Sequence, residues 1–237
     1  MSDRRKIETV CRRLMPLHGP VKPPPRGPVL DELVLTILSQ HTSDTNSDAA
    51  FDDLQRAFPD WDAVRRASVE QLAAAIRRAG LSRQKAPRIK AILDKLHTDR
   101  GRLSLDFLRR WPVAKALDYL RAMPGVGPKT AACVLLFACR QPVLPVDTHV
   151  HRVSGRLGLI GSHTDAATAH EELAALVPPA RVLDFHILLI RHGRTTCTAR
   201  KPRCEHCPLL DLCPAGFRQM RAAERPKTAL GRPRRDR

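Results

Sequence analysis

The chain has 237 residues, 43% of them hydrophobic, which suits one large or two small packed domains and excludes an intrinsically disordered chain. Its longest unbroken apolar run, Ala131 to Cys139, falls far short of the roughly 20 residues that cross a bilayer. Forty-one Lys and Arg against 24 Asp and Glu leave a net charge of +17, and the isoelectric point is near 10.6.

The opening MSDRRKIETV is charged with no apolar stretch, so a cytoplasmic protein without a secretion signal is expected. Residues 218–237 carry +6 of the net charge, so the rest of the chain is itself basic. A balance that far from zero points to a polyanion partner, nucleic acid above all. Seven cysteines, an odd number, argue against a disulfide framework.

Periodicity is helical almost throughout, with breaks at Gly and Pro and no clean apolar–polar alternation, so the expected class is all-α. A short N-terminal helix leads into a Pro-rich extended segment, Lys22 to Pro28. Helices are predicted over Leu30–Gln40 and Ser47–Phe58, with a further turn after Trp61. Ser68 and Gln71 form a capping-box pattern at the start of a helix that Gly80 stops. Gln84–Leu96, Pro112–Met123, Pro128–Arg140, Thr148–Leu157, Ala166–Val177 and Val182–His192 continue the series up to a cysteine-rich end.

Three stretches can carry chemistry. In Met123-Pro-Gly-Val-Gly-Pro-Lys129-Thr130 a turn with two glycines joins two amphipathic helices, and Pro128 suits the first position of the second. Gly125, Val126 and Gly127, with Thr130 behind them, offer backbone to a phosphate at the positive end of a helix dipole. A bare helix–helix turn has the same residues. Lys129 lies where the dipole disfavours a cation, which favours a neutral, nucleophilic amine; on spacing alone, a charge beside a phosphate is the simpler role.

The second stretch is Pro145-Val-Asp147-Thr-His149-Val-His151-Arg152, where Asp147 or Thr148 can cap the following helix, and Asp147 can also face a developing positive charge. His149 and His151 read as packing or capping residues. The third is Cys197-x6-Cys204-x2-Cys207-x5-Cys213, four thiols within 17 positions. Zinc or a four-cysteine iron–sulfur cluster fits this set, and the single Cys-x2-Cys pair suits a cluster at least as well. Arg200, Lys201 and Arg203 between the first two ligands are natural phosphate contacts. Cys11, Cys133 and Cys139 lie in apolar helices and read as packing residues.

Together, in this order, these stretches resemble the endonuclease III family of helix-hairpin-helix DNA glycosylases. The likeness is carried by LVLTILSQHTSD (Leu33–Asp44), Gly80-Leu81, Lys85-Ala86, MPGVGPKTA, LPVDTHVHR and HGRTTCTARKPRCEHCPLLDLC. It implies a two-lobed all-α fold: a six-helix barrel with the hairpin over 29–140, a [4Fe–4S] domain from 1–28 and 141–217, and a disordered basic tail over 218–237. It implies a monomer that binds duplex DNA carrying a damaged base or an abasic site, and hence sits with the nucleoid. The target nucleotide leaves the stack, because its glycosidic bond is unreachable inside the duplex. Lys129 would attack C1′ and Asp147 would assist its deprotonation; β-elimination through the Schiff base would then nick the strand. The cluster would sit on Cys197, Cys204, Cys207 and Cys213.

By the same likeness, Leu81 and either Gln40 or His41 would fill the gap left in the duplex. Ser82 and Ala132 depart from the family pattern near the expected base pocket, which leaves the preference for oxidised pyrimidines open. Related mismatch adenine glycosylases carry a glutamate where this chain has Thr36, and usually lack the lysine. A monofunctional mismatch or uracil glycosylase, and a non-catalytic DNA-binding iron–sulfur protein, are the alternatives; Lys129 and Asp147 together favour a bifunctional glycosylase and AP lyase.

Overall fold

A computed structural model of the chain describes residues 2–161 and 163–224, and these contain helices and no strand. The chain runs α1 (Asp3–His18), α2 (Val29–Leu38), α3 (Asp44–Ala57), α4 (Trp61–Arg66), α5 (Val69–Ala75), α6 (Ser82–Arg100), α7 (Val113–Arg121), α8 (Pro128–Phe137), α9 (Thr148–Leu157), α10 (Ala166–Leu176), α11 (Val182–Thr195) and α12 (Pro214–Glu224). Short 3-10 turns at Arg77–Ala79, Asp106–Arg110 and Pro179–Arg181 link some of them, and two more lie in the cysteine-rich segment.

Helix starts follow local chemistry. Ser43, Asp60, Ser68, Asp147 and Asp165 each accept a backbone N–H from the turn that follows, pairing donors that a helix start leaves open. The capping box of Ser68 and Gln71 is formed in both directions.

Helix ends depart more from the sequence expectation. The α2 helix stops at Leu38, before Gln40, because the chain turns left-handed at His41 (φ 55°). Asp44, rather than Ser47, opens α3, because Ser43 supplies the cap. The α6 helix begins at Ser82, directly after left-handed Leu81, and runs through Pro87 to Arg100. The α8 helix ends at Phe137, within the apolar run, and Arg140 is left-handed with φ 60°. There Arg140 holds the Pro24 carbonyl, while Arg109 holds those of Ala138 and Gly27, which lashes the Pro-rich segment to the end of α8.

Two apolar cores result. The first is built from α2–α8, with Leu33, Ile37, Leu93, Leu120 and Leu135 fully buried. The second gathers α1, α9, α10 and α11 around Leu14, Val150, Leu173 and Phe185. Each such side chain contributes roughly 1.5–3 kcal/mol on leaving water. The α8 helix serves both cores, Leu135 facing one and Leu136 the other.

Among the described residues no single helix is long and apolar enough to cross a membrane. The first seven residues of the expected tail, 218–224, are the end of α12, which packs on the cysteine-rich segment. The rest of that tail, 225–237, lies outside the described residues.

Candidate active site

The turn between α7 and α8 is closed by a hydrogen bond from the Val126 N–H to the Met123 carbonyl (3.2 Å). Val126 is buried and anchors the turn in the first core. Gly125 has φ 75°, and a Cβ there would meet Arg88 Cδ at 2.8 Å. Around Gly127 a Cβ would meet nothing within 4 Å, so the start of α8 is open to a ligand. Any contact by Val126 is therefore through its backbone. Thr130 is 5% exposed, and its hydroxyl faces Gln40 rather than solvent.

Gln40 and His41 part ways. The Gln40 amide points back at the hairpin, 3.5 Å from the Gly125 carbonyl and 3.4 Å from the Thr130 hydroxyl. His41 is exposed at the tip of its turn. Leu81 is likewise left-handed (φ 48°) and 48% exposed.

Lys129 and Asp147 line one open cleft of about 1030 Å³, together with Gln40, His41, Cys133 and His186. Lys129 is the second residue of α8, and Asp147 is the cap of α9, whose Oδ1 accepts the Val150 N–H at 2.7 Å. Capping thus occupies one carboxylate oxygen, and among the described residues the other has no hydrogen-bond partner. Lys129 forms no ion pair among the described residues, so its amine is not committed to a carboxylate.

Cys133 sits one helical turn beyond Lys129. Burial pushes its thiol up to about 11, against the pull of the Lys129 charge. Ala132 is 1% exposed and absent from the cleft wall, so the position expected to border the base pocket is core and Cys133 borders it instead. Ser82, the other departure from the family pattern, is the first residue of α6.

Two further groups escaped the sequence reading. His186, on α11, is 2% exposed; its Nδ1 lies 2.9 Å from the Pro145 carbonyl, and burial holds its pKa down to about 4. A neutral imidazole therefore backs the cleft beside Lys129 and Asp147. Glu32, on α2, accepts the Thr36 hydroxyl at 3.2 Å, and burial raises its pKa to about 7 although Lys129 and Arg140 pull it down. Across the cleft, Arg194 from the end of α11 grips Asp44 at the start of α3 with two bonds of 2.7 and 3.3 Å. His149 and His151 also line the cleft, their nitrogens engaged by Arg152 (3.1 Å) and the Thr164 carbonyl (2.8 Å).

The four clustered cysteines line a single small cavity between α9, α11 and α12. Among the described residues no three His, Cys, Asp or Glu side chains converge on a single-ion position. Mononuclear zinc needs four sulfurs within about 2.3 Å of one point. A four-iron cluster takes its thiolates at separated corners, so the donor set fits a cluster better.

The surroundings fit it too. Arg156 donates to Cys197 Sγ (3.2 Å) and to the Thr198 and Ala199 carbonyls (2.7 and 2.8 Å), and the Gly216 N–H points at Cys213 Sγ (3.3 Å). Such N–H donors stabilise charged cluster sulfurs. A Cβ on Gly216 would meet the end of the Leu210 side chain at 2.9 Å and Cys213 Sγ at 3.5 Å, so the glycine lets the start of α12 pack closely over the cysteine. Arg200, Lys201 and Arg203 are all exposed on the loop it holds. Cys11, Cys133 and Cys139 are buried.

Comparison with known proteins places the chain in a family. Residues 34–179 match the family described as HhH-GPD superfamily base excision DNA repair protein, and residues 197–213, which begin and end on the outer cysteines, match the iron–sulfur binding domain of endonuclease III. An Arabidopsis thaliana protein named as a DNA glycosylase is 39% identical over 73% of this chain and 59% of its own length. Endonuclease III of Sulfolobus acidocaldarius is 44% identical over 39% of this chain and 41% of its own. The chain thus spans about two fifths to three fifths of the curated relatives it matches. A trapped covalent intermediate of endonuclease III with DNA superposes with a TM-score of 0.77 at 28% identity, covering 93% of this chain and all of that one. The chain therefore belongs to the HhH-GPD superfamily of base excision DNA repair proteins and carries the [4Fe–4S]-binding domain of endonuclease III.

Proposed function

We propose that this chain is a bifunctional DNA glycosylase and AP lyase that removes damaged pyrimidines, oxidised ones foremost, from duplex DNA. The observation that carries it is the meeting of Lys129 and Asp147, from two different helices, in one open cleft beside the hairpin.

The hairpin backbone at Gly125 and Gly127 and the first turn of α8 receive a phosphate. The basic loop at Arg200, Lys201 and Arg203 adds further phosphate contacts that position the duplex without reading its sequence. The damaged nucleotide rotates out into the cleft. Lys129 attacks C1′ as the glycosidic bond breaks and the base leaves with the bonding electrons. Asp147 balances the positive charge that grows on the sugar and takes the proton released by the attacking amine. The sugar ring then opens as the C1′–O4′ bond breaks and O4′ takes up a proton, and the resulting iminium acidifies the C2′ proton; its loss expels the 3′ phosphate and nicks the strand. His186 holds the base of the cleft as a neutral group, so it adds no charge to compete with Lys129.

Cys197, Cys204, Cys207 and Cys213 would hold the [4Fe–4S] cluster, which cross-links the loop into a rigid support when bound. Arg156 and Gly216 supply N–H donors to the sulfurs.

Borohydride reduction during incubation with abasic or oxidised-pyrimidine duplexes tests the proposal. The unaltered protein is expected to form a covalent adduct with both, and Lys129→Gln with neither. An adduct with abasic DNA alone would withdraw the substrate assignment; no adduct from folded, iron-loaded protein would withdraw the lyase.

A further inference from the structure

Among the described residues Lys85 is the largest fully buried side chain, at 1% exposure, and its amine is ionisable. Its ammonium donates to the Leu38 carbonyl at 2.7 Å and to the Ala79 carbonyl at 2.9 Å. Each carbonyl begins a turn. Leu38 ends α2, three residues before His41; Ala79 ends a 3-10 turn, two residues before Leu81.

Among the described residues three non-glycine residues have positive φ, and His41 and Leu81 are two of them. Both are exposed at their tips, in a conformation that any Cβ disfavours, and such strain persists only where the surroundings impose it. One buried amine therefore joins the roots of two strained turns about 40 residues apart in sequence.

Packing alone does not call for a charge here. A buried ammonium is expensive unless its N–H groups are paired, and burial, with Arg88 nearby, lowers the proton affinity of Lys85. An aliphatic side chain would leave the Leu38 and Ala79 carbonyls without this donor. What the amine adds is a fixed spacing between the two turns. The same helix reaches the hairpin, since Arg88, one turn on, packs against Gly125.

We propose that Lys85 is a positioning residue that couples His41 and Leu81 into one rigid two-pronged wedge, with His41 rather than Gln40 as the first prong. The wedge is the element that fills the duplex when a nucleotide is extruded, so the proposal rests on the glycosylase reading above. Gln40 is excluded as the prong because its amide braces the hairpin. Lys85 does not line the cleft, and its effect passes through the two turns.

The test compares the unaltered protein with Lys85→Met on two abasic substrates, one duplex and one single-stranded, by borohydride trapping. Fluorescence of a 2-aminopurine opposite the abasic site serves as a second readout of wedge insertion. Lys85→Met is expected to lose ten- to a hundredfold in duplex trapping, the order of loss that misplacement by about 1 Å produces, and to lose the fluorescence change. Trapping on the single strand, which needs no wedge, is expected to stay within about twofold. Equal losses on both substrates, or no loss on the duplex, would overturn the proposal.

A second measurement leaves the buried amine alone. His41→Ala and Leu81→Ala should weaken duplex trapping non-additively, because a coupled wedge fails as a unit; additive losses would overturn the proposal even if Lys85→Met does not fold. If the unaltered protein traps neither substrate, the lyase reading falls. The fluorescence change and its dependence on Lys85 then still decide the wedge.

Discussion

Replacing Glu32 by glutamine removes a buried acid while keeping an acceptor for the Thr36 hydroxyl. Burial lifts the Glu32 pKa from 4.5 to about 7, chiefly because the charged form has lost its water. The folded state therefore holds a proton that the unfolded state releases, and Glu32 weakens the fold increasingly as pH rises from about 4.5 to about 7. At roughly 1.4 kcal/mol for each tenfold change in proton affinity, the weakening is about 1 kcal/mol at pH 5 and about 3 kcal/mol at pH 8. Glu32→Gln should accordingly raise the melting temperature by about 6–12 °C at pH 8, and by only a few degrees at pH 5, for a chain of this size. Differential scanning calorimetry of the iron-loaded protein at both pH values measures this. An equal gain at both pH values, or a loss at pH 8, would refute the assignment of Glu32 as a strained buried carboxyl.

Gly125→Ala forces a Cβ into a left-handed residue and against Arg88, which should lower stability by roughly 1–2 kcal/mol. DNA affinity by fluorescence anisotropy should fall about tenfold with it, as expected for a displaced backbone contact of about 1.4 kcal/mol. Unchanged affinity would remove the hairpin from the DNA interface. Arg156→Met deletes the donors to Cys197 Sγ and to the Thr198 and Ala199 carbonyls, each charge-assisted bond being worth about 1.5–3 kcal/mol. Iron should then be lost to a chelator at least tenfold faster, followed by visible absorbance; an unchanged rate would show that the cysteines hold the cluster without this arginine.

The parts of the site that could be read from sequence are those where backbone chemistry demands a residue type. Gly125 at a positive φ, Pro128 at a helix start, the Ser68 capping box and the cysteine spacing all announce local geometry. What stayed hidden depended on tertiary packing. Lys85 sits in the polar-looking stretch Ser82 to Lys90, and only its spacing to Ile89, Ile92 and Leu96 places it on the buried face of α6. His186 and Glu32 lie in helices whose apolar patterning says nothing about which polar group is trapped inside. The different placement of Gln40 and His41 comes from the left-handed residue after the end of α2, and adjacent polar residues carry no signal for it. The end of α8 at Phe137 was hidden for a related reason: the run to Cys139 is apolar enough to continue, and it stops where Arg109 and Arg140 seize the Pro-rich segment.

The central claim is that Lys129 is the nucleophile and that Asp147 assists it. Trapping the protein on abasic duplex with borohydride, digesting the adduct and sequencing the cross-linked peptide by mass spectrometry tests this most directly. The account predicts that the deoxyribose remnant sits on Lys129, and that Asp147→Asn forms the same adduct at least a hundredfold more slowly, a loss within the range of general-base removal. A remnant on another amine, such as the N-terminus, or an Asp147→Asn adduct formed at the unaltered rate, would contradict it.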